Sequence, residues 1–222
     1  MFKLWPWLEA NKNRLIGAVA VVVVASALYY FMSWRHQQSE IDAGQALTQL
    51  LVAPPSGATP ELTAGAFAQL ADKYSGTQAA ERAQLQAAAD YFSVGRYTDA
   101  QAQFQKTLDA SSAGPLAATA ALGLASSLEA QGKLDDAATA YRRVTTQFGD
   151  AVAAALPAKF ALGRIAEQQG KFTEAMSAYQ ELARNNFAGS LASEAALRAL
   201  EIKSKIPAPP KAAVQPAAPL TK

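Results

Sequence analysis

The 222-residue sequence contains no cysteine and only one histidine, and both scarcities narrow the chemistry that the chain can perform. Without cysteine there is no disulfide, no thiol nucleophile and no cysteine-based metal site. Charged residues make up only 17% of the chain, and 20 basic residues nearly balance 18 acidic ones, for a net charge of +2. Because no block of lysine and arginine provides a phosphate-binding stripe, the composition predicts no nucleic-acid partner.

A long uncharged run lies near the N-terminus, at residues 15–34. As an α-helix rising ~1.5 Å per residue, it spans about 30 Å, the thickness of the hydrocarbon core of a bilayer. Three basic residues and one acid precede the run, whereas a single basic residue follows it closely. The positive-inside rule therefore predicts a cytoplasmic flank at 1–14, an anchor at 15–34 and an extracytoplasmic body.

A cleaved signal peptide is the alternative interpretation of this run. Ala25, Ser26 and Ala27 have the small-x-small form of a cleavage site after an apolar stretch. Cleavage there would leave a mature N-terminus beginning at Leu28 with an apolar, aromatic cluster that nothing obvious covers. Since the apolar run continues past this site to full spanning length, we favour an uncleaved anchor over a secreted protein.

The remainder of the chain divides into three parts by composition. Residues 35–58 are predicted to be a juxtamembrane helix and a linker rich in helix breakers. Helix formers dominate 59–205, where no stretch alternates at period two, so an all-α body is expected. Proline and alanine fill 206–222, which predicts an extended, disordered tail. Within the juxtamembrane helix, four apolar residues are expected near one face: Ile41, Leu47, Leu50 and Leu51.

One pattern occurs three times in the body, with glycines 37 and 38 residues apart. It reads glycine, basic, apolar, threonine or aspartate, acidic, alanine, and an aromatic residue stands nine positions beyond the glycine. We expect the glycine to end one helix in the left-handed conformation and the threonine or aspartate to cap the next. The alanine allows close helix approach and the aromatic ring fills the space beyond it. The positions are Gly95, Ala100 and Phe104; Gly132, Ala137 and Tyr141; and Gly170, Ala175 and Tyr179.

This pattern resembles the tetratricopeptide repeat, a helix–turn–helix unit with the same turn and the same small and aromatic positions. The resemblance implies three repeats, near 81–114, 118–151 and 156–189, within a repeat domain at 59–205. The small position of each first helix is filled by Ala88, Ala125 and Gly163. The predicted fold class is therefore all-α, an N-terminal transmembrane helix followed by a tetratricopeptide-like helical-hairpin solenoid. Flanking cap helices are expected at Phe67–Tyr74 and Ser190–Lys205, the latter covering the last repeat with Leu191, Leu197, Leu200 and Ile202.

No catalytic constellation stands out in the sequence. The only histidine, His36, has no cluster of partners, and no phosphate-binding loop, nucleophile elbow or metalloprotease helix is present. The sequence thus predicts no enzymatic activity, cofactor, metal or small-molecule substrate. In tetratricopeptide repeats the first helix of each pair lines a protein-binding groove. Mapped from the turn glycines, that groove comprises Arg82, Leu85, Ala89, Phe92, Leu122, Ser126, Glu129, Phe160, Arg164 and Glu167. The alternative is that Leu85, Leu122 and Phe160 belong to the core between repeats.

The layout as a whole, a single anchor and an external repeat body, is similar to the tetratricopeptide family that serves as an ancillary subunit of the Sec translocon. That similarity implies a scaffold in the bacterial inner membrane with a periplasmic repeat domain. Its partners would be translocon, chaperone or other envelope-complex subunits. A scaffold for a cell-wall or division complex is the alternative.

Overall fold

In the computed structural model, residues 4–54, 57–185 and 187–206 are described, and all the regular secondary structure in these ranges is α-helical. The all-α, helical-repeat fold class is therefore confirmed, whereas the predicted tail lies outside the described residues from position 207 onward. A boundary between two compact units falls at Ala120 and Ala121. The helices are α1 (Leu4–Val52), α2 (Pro60–Lys73), α3 (Gln78–Ser93), α4 (Tyr97–Ala110), α5 (Gly114–Ala130), α6 (Leu134–Gln147), α7 (Val152–Gln168), α8 (Phe172–Ala183) and α9 (Ser190–Lys203).

Helix α1 contains the apolar run and continues well beyond it. By length and composition the segment Lys12–Val52 is able to cross a membrane, and none of its most apolar window is buried against the rest of the protein. The side chains of Tyr29, Tyr30 and Trp34 are all exposed at the end of the run. Aromatic rings of this kind favour the interface between lipid and water.

The C-terminal part of α1 belongs to the core of the first unit. Ala43 and Leu47 are buried in one cluster with Phe67 and Leu70 of α2 and with alanines of α3. Leu50 packs against the same cluster. The expectation of a common apolar face is wrong for Ile41 and Leu51, which are exposed: the small Ala43 takes the central contact, and these two side chains point away from it.

The predicted turns are confirmed at all three glycines. Gly95, Gly132 and Gly170 have φ values of 80°, 76° and 72°, in the left-handed region that side chains disfavour. In each turn the glycine N–H donates to the carbonyl three residues earlier, and the next N–H donates to the carbonyl five residues earlier, at 2.8–3.0 Å. These two bonds constitute a Schellman motif, which satisfies the last carbonyls of the preceding helix.

The predicted caps after these turns are wrong. Thr98, Asp135 and Thr173 were expected to cap, but each is the second residue of its helix, and the preceding cap residues form no side-chain hydrogen bond. The Schellman turn leaves only one residue between the glycine and the helix, so helical backbone begins earlier than a capping threonine requires. By contrast, Thr59 does cap α2, with its Oγ1 accepting from the Leu62 N–H at 3.4 Å.

Small and aromatic positions pack as the pattern predicts. The alanines that follow the turns, Ala100, Ala137 and Ala175, are fully buried, and so are Ala88 and Ala125 of the first helices. The aromatic rings nine residues beyond the turn glycines are buried as well: Phe104, Tyr141 and Tyr179.

A further hairpin precedes the three that the glycine pattern marks. Phe67 of α2 lies 37 residues before Phe104 and is buried in the same way. Its helix packs against both α1 and α3. The C-terminal part of α1 therefore supplies the first helix of this leading hairpin, and α2 supplies the second.

Helix α9 covers α8 through a narrower face than expected. Ala195, Ala199 and Ile202 are buried in a cluster with α8, and Leu191 packs against that cluster. Leu197 and Leu200 are 63% and 67% exposed, so their predicted covering role is wrong. At 100° per residue they fall on the opposite side of the helix from the alanines that allow its close approach.

Candidate protein-binding face

None of the ten residues predicted to line the groove is buried. Three of them, Arg82, Ala89 and Arg164, are exposed, and the other seven are half-buried. Four lie on α3, three on α5 and three on α7.

In the first unit, the predicted residues form one ridge along α3. Arg82, Leu85, Ala89 and Phe92 follow spacings of three and four, which places them on one helix face. The opposite face is buried against neighbouring helices through a row of alanines. The Phe92 ring packs edge-on against the Tyr97 ring, with centroids 5.2 Å apart, and this contact restricts the orientation of Phe92. The ridge thus offers two half-buried apolar side chains and one accessible cation.

In the second unit, an ion pair joins α5 to α7. The Arg164 guanidinium donates from Nε to Glu129 Oε1 at 2.9 Å and from Nη2 to Glu129 Oε2 at 2.8 Å. The Glu129 side chain is only 13% exposed and that of Arg164 is 47% exposed. A two-pronged pair of this kind is more specific and stronger than a single exposed contact.

Two hydroxyl groups extend this ion pair into a network. The Tyr141 hydroxyl donates to Glu129 Oε2 at 2.8 Å, and the Ser126 hydroxyl lies 3.0 Å from the Tyr141 oxygen. Since a carboxylate only accepts, the tyrosine proton points at Glu129. Burial raises the pKa of Tyr141 well above its ordinary value, and the neighbouring Glu129 charge adds to that rise. Tyr141 therefore remains a neutral donor throughout the physiological pH range.

The structure thus brings together three of the predicted residues, Ser126, Glu129 and Arg164. The charges of Glu129 and Arg164 are paired with each other. Phe160 is drawn partly into the core, because its ring centroid lies 5.3 Å from that of Tyr179. Leu122 is half-buried. The contribution of Phe160 to a binding face is consequently smaller than the sequence suggests.

Sequence reasoning missed a repeated charge pair, in which an acidic residue near the end of one helix has a basic partner one repeat later in the chain. Glu129 and Glu167 each lie three residues before a turn glycine. Glu129 pairs with Arg164, 35 residues on, and Glu167 pairs with Lys205, 38 residues on, at 3.0 Å. A comparison of charges at one-period separation would have revealed this signal. Extending that comparison to neutral polar residues would also have revealed the contact of Gln169 with Asp135 at 2.9 Å.

The same relation holds within the first unit. Arg96 donates to Glu61 at 2.8 Å across 35 positions, and Lys106 donates to Asp72 at 3.1 Å across 34. Each contact ties a helix to its counterpart one repeat away, which fixes the stacking register of adjacent hairpins. Among the described residues, no group of three or more histidine, aspartate or glutamate side chains is arranged to hold a metal ion.

Paired helices, left-handed glycine turns, buried small and aromatic positions and contacts at one-period separation define a helical-hairpin repeat protein. More particularly, the model of the tetratricopeptide repeat-like domain family matches residues 5–203, and the chain belongs to that family. A comparison with curated proteins gives no match. Domains of this family generally mediate contacts between proteins and are typically non-catalytic scaffolds. The matched region begins within α1, ahead of the apolar run, and ends with α9.

Proposed function

We propose that this protein is a membrane-anchored scaffold of the bacterial cell envelope, with the α3 ridge as part of its protein-binding surface. Its role is that of an ancillary translocon subunit, which holds translocon or chaperone components, or an emerging secreted chain, beside the membrane. The observation that carries the proposal is the continuity of α1: a membrane-length apolar helix becomes the first helix of the repeat domain without a linker.

Two further observations support an uncleaved anchor. The family match covers the apolar run together with the repeats, so the run belongs with the domain. Cleavage after Ala27 would also leave Leu28, Tyr29 and Tyr30 exposed at a new N-terminus. The experiment is an intact-mass measurement of the chain recovered from membranes, with the full 23.3 kDa expected. A mature chain that begins at Leu28 would instead establish a secreted repeat protein.

Partner binding is tested with a photoreactive amino acid placed at Ala89 in intact cells. Ala102, an exposed alanine on the outer side of α4, is the matched control. We expect covalent adducts with translocon or chaperone subunits from position 89 and none from position 102. Equal labelling from both positions would contradict a binding role for the ridge. Adducts with division proteins, or co-sedimentation with purified cell wall, would favour the alternative scaffold.

A further inference from the structure

The helix that contains the apolar run is the same helix that enters the repeat core. No proline interrupts α1 between Arg35 and Val52, and Gly44 lies in an ordinary helical conformation. Only eight positions separate Arg35 from Ala43, which is fully buried, and the described side chains of α1 before Ala43 are exposed or half-buried. At ~1.5 Å per residue, the exposed stretch between the apolar run and the core is therefore only about 12 Å long.

A carboxylate on α1 fastens this stretch to the start of α3. Both oxygens of Glu40 accept from the Gln78 backbone N–H, at 3.0 and 3.2 Å. Gln78 is the first residue of α3, and the capping residue Thr77 accepts from Ala80 N–H at 3.1 Å. The first N–H groups of a helix lack partners within it and carry positive partial charge, so a carboxylate from another helix stabilises them.

A second set of contacts fixes the direction of α1. Beyond Glu40, the buried Ala43 and Leu47 pack in one cluster with alanines of α3. Further along, Leu50 and Ala53 line a cleft whose other wall is formed by α2, at Leu70 and the residues around it. Because Glu40 meets the first residue of α3, and the buried residues that follow it on α1 share a cluster with the alanines that follow Gln78 on α3, these two helices run in the same direction.

We infer that the whole of α1 and the helix α2 that pairs with it form one rigid unit, here called the post. The post sets the height of the α3 ridge above the bilayer. The inference rests on the proposed membrane insertion of residues 15–34. Gln78 stands level with Glu40, six residues or about 9 Å beyond the apolar run. Along α3, Arg82 is then about 15 Å and Phe92 about 30 Å above that run. A partner segment that binds the ridge lies between these heights.

The absence of native cysteine makes the heights measurable with single labels. Fluorophores at Arg82→Cys and Ser93→Cys in the full-length chain, reconstituted in phosphatidylcholine vesicles with acceptor headgroups, report distance to the lipid surface. Eleven residues separate these exposed positions, so we expect the label at 93 to lie about 16 Å farther out. Equal distances for the two labels would overturn the inference while leaving membrane anchoring intact. A chain that fails to enter the vesicles would overturn both.

Insertions between Gln37 and Gln38 test rigidity directly, since they leave the contacts of Glu40 and Ala43 with α3 in place and interrupt the 3.7 Å pair of His36 with Glu40 within α1. Seven helix-forming residues add two turns, with almost no net rotation, and should move both labels outward by about 10 Å. Seven glycine and serine residues are the control, and they should abolish the difference between the labels. Unchanged distances after the helical insertion would refute a rigid post.

The joint itself is tested by amide exchange at Gln78 in the reconstituted chain. Glu40→Ala should accelerate exchange about tenfold, because it removes the acceptor of that N–H. Asp42→Ala is the matched control, because this acid, two residues on, is exposed and among the described residues its polar contact is with Gln38 of its own helix, at 3.4 Å. Equal exchange rates in the two variants would show that Glu40 does not fasten α1 to α3.

Discussion

Gly163 allows helix α7 to approach α8 more closely than any other residue would permit. A Cβ atom added there would lie 2.7 Å from Tyr179 Cε1, 3.0 Å from Cδ1 and 3.1 Å from Cζ. Normal contact needs at least 3.4 Å, so the ring or the helix must shift by roughly 0.7 Å. The ring has little freedom to do so, since Tyr179 is only 1% exposed and Phe160 packs against it.

The substitution Gly163→Ala should therefore destabilise the protein. Overpacking of a filled core costs about 1–3 kcal/mol, and the better helix propensity of alanine returns about 0.5–1 kcal/mol. The expected net loss in the free energy of unfolding is on the order of 1 kcal/mol, and at most about 2.5 kcal/mol. Gly65→Ala is the control, because its added Cβ meets only the Tyr91 hydroxyl, at an ordinary 3.9 Å. That variant should gain about 0.5–1 kcal/mol from helix propensity.

Chemical denaturation in detergent micelles, followed by circular dichroism, measures both variants against the native chain. The cause is isolated in a Tyr179→Leu background, where the ring is gone and Gly163→Ala should become neutral or stabilising. The difference between the two backgrounds is the coupling energy of the clash. If Gly163→Ala stabilises the native background as Gly65→Ala does, the steric argument is wrong.

Three other outcomes follow from the contacts in the structure. Glu129→Ala should lower the unfolding free energy by about 1.5–2 kcal/mol, because it removes the acceptor of Arg164 and of the buried Tyr141 hydroxyl. The control Glu181→Ala, which breaks an exposed ion pair, should cost under about 0.5 kcal/mol, and equal losses in the two variants would contradict this reasoning. Burial raises the pKa of Tyr179 to about 12, so the folded state favours the protonated hydroxyl. The free energy of unfolding should therefore fall by up to about 3 kcal/mol as the pH rises from about 10, the pKa in the unfolded chain, to about 12. Tyr179→Phe should reduce that alkaline loss in pH-dependent denaturation, and an unchanged slope would refute the assignment. Val22→Asp, which costs about 3 kcal/mol at the centre of a membrane span, should shift the chain out of alkali-washed membranes, whereas Val22→Ile should not.

Features that depend on short stretches of chain could be predicted from the sequence. A Schellman turn involves six consecutive residues, so the glycine pattern was sufficient to place it at Gly95, Gly132 and Gly170. The alanine and aromatic positions were equally accessible, because they recur at a fixed distance from each turn. The leading hairpin was predicted only in part. Phe67 keeps the spacing of the aromatic position, but the linker before α2 lacks the glycine pattern that marks the other three turns.

Features that depend on the neighbouring repeat could not be predicted in the same way. The partner of Glu129 is set by the stacking of α7 on α6 and α5, not by residues near it in the chain. Which face of α9 is buried depends on how closely its alanines approach α8, and Leu197 was misplaced for that reason. The capping error has a local cause, since the turn type decides where helical backbone resumes.

The pairing of charges bears on how a partner is recognised. In the unit that begins at Ala121, a charged partner would have to displace Arg164 from Glu129, and it would thereby forfeit two charge-assisted hydrogen bonds. In the unit that ends at Ala120, Leu85 and Phe92 are half-buried apolar side chains beside an accessible Arg82. Apolar anchors in partly desolvated positions contribute more to binding than exposed charges do. Under the proposed function, we therefore expect the α3 ridge to bind a segment with apolar side chains at spacings of three and four and an acid at the end nearer Arg82.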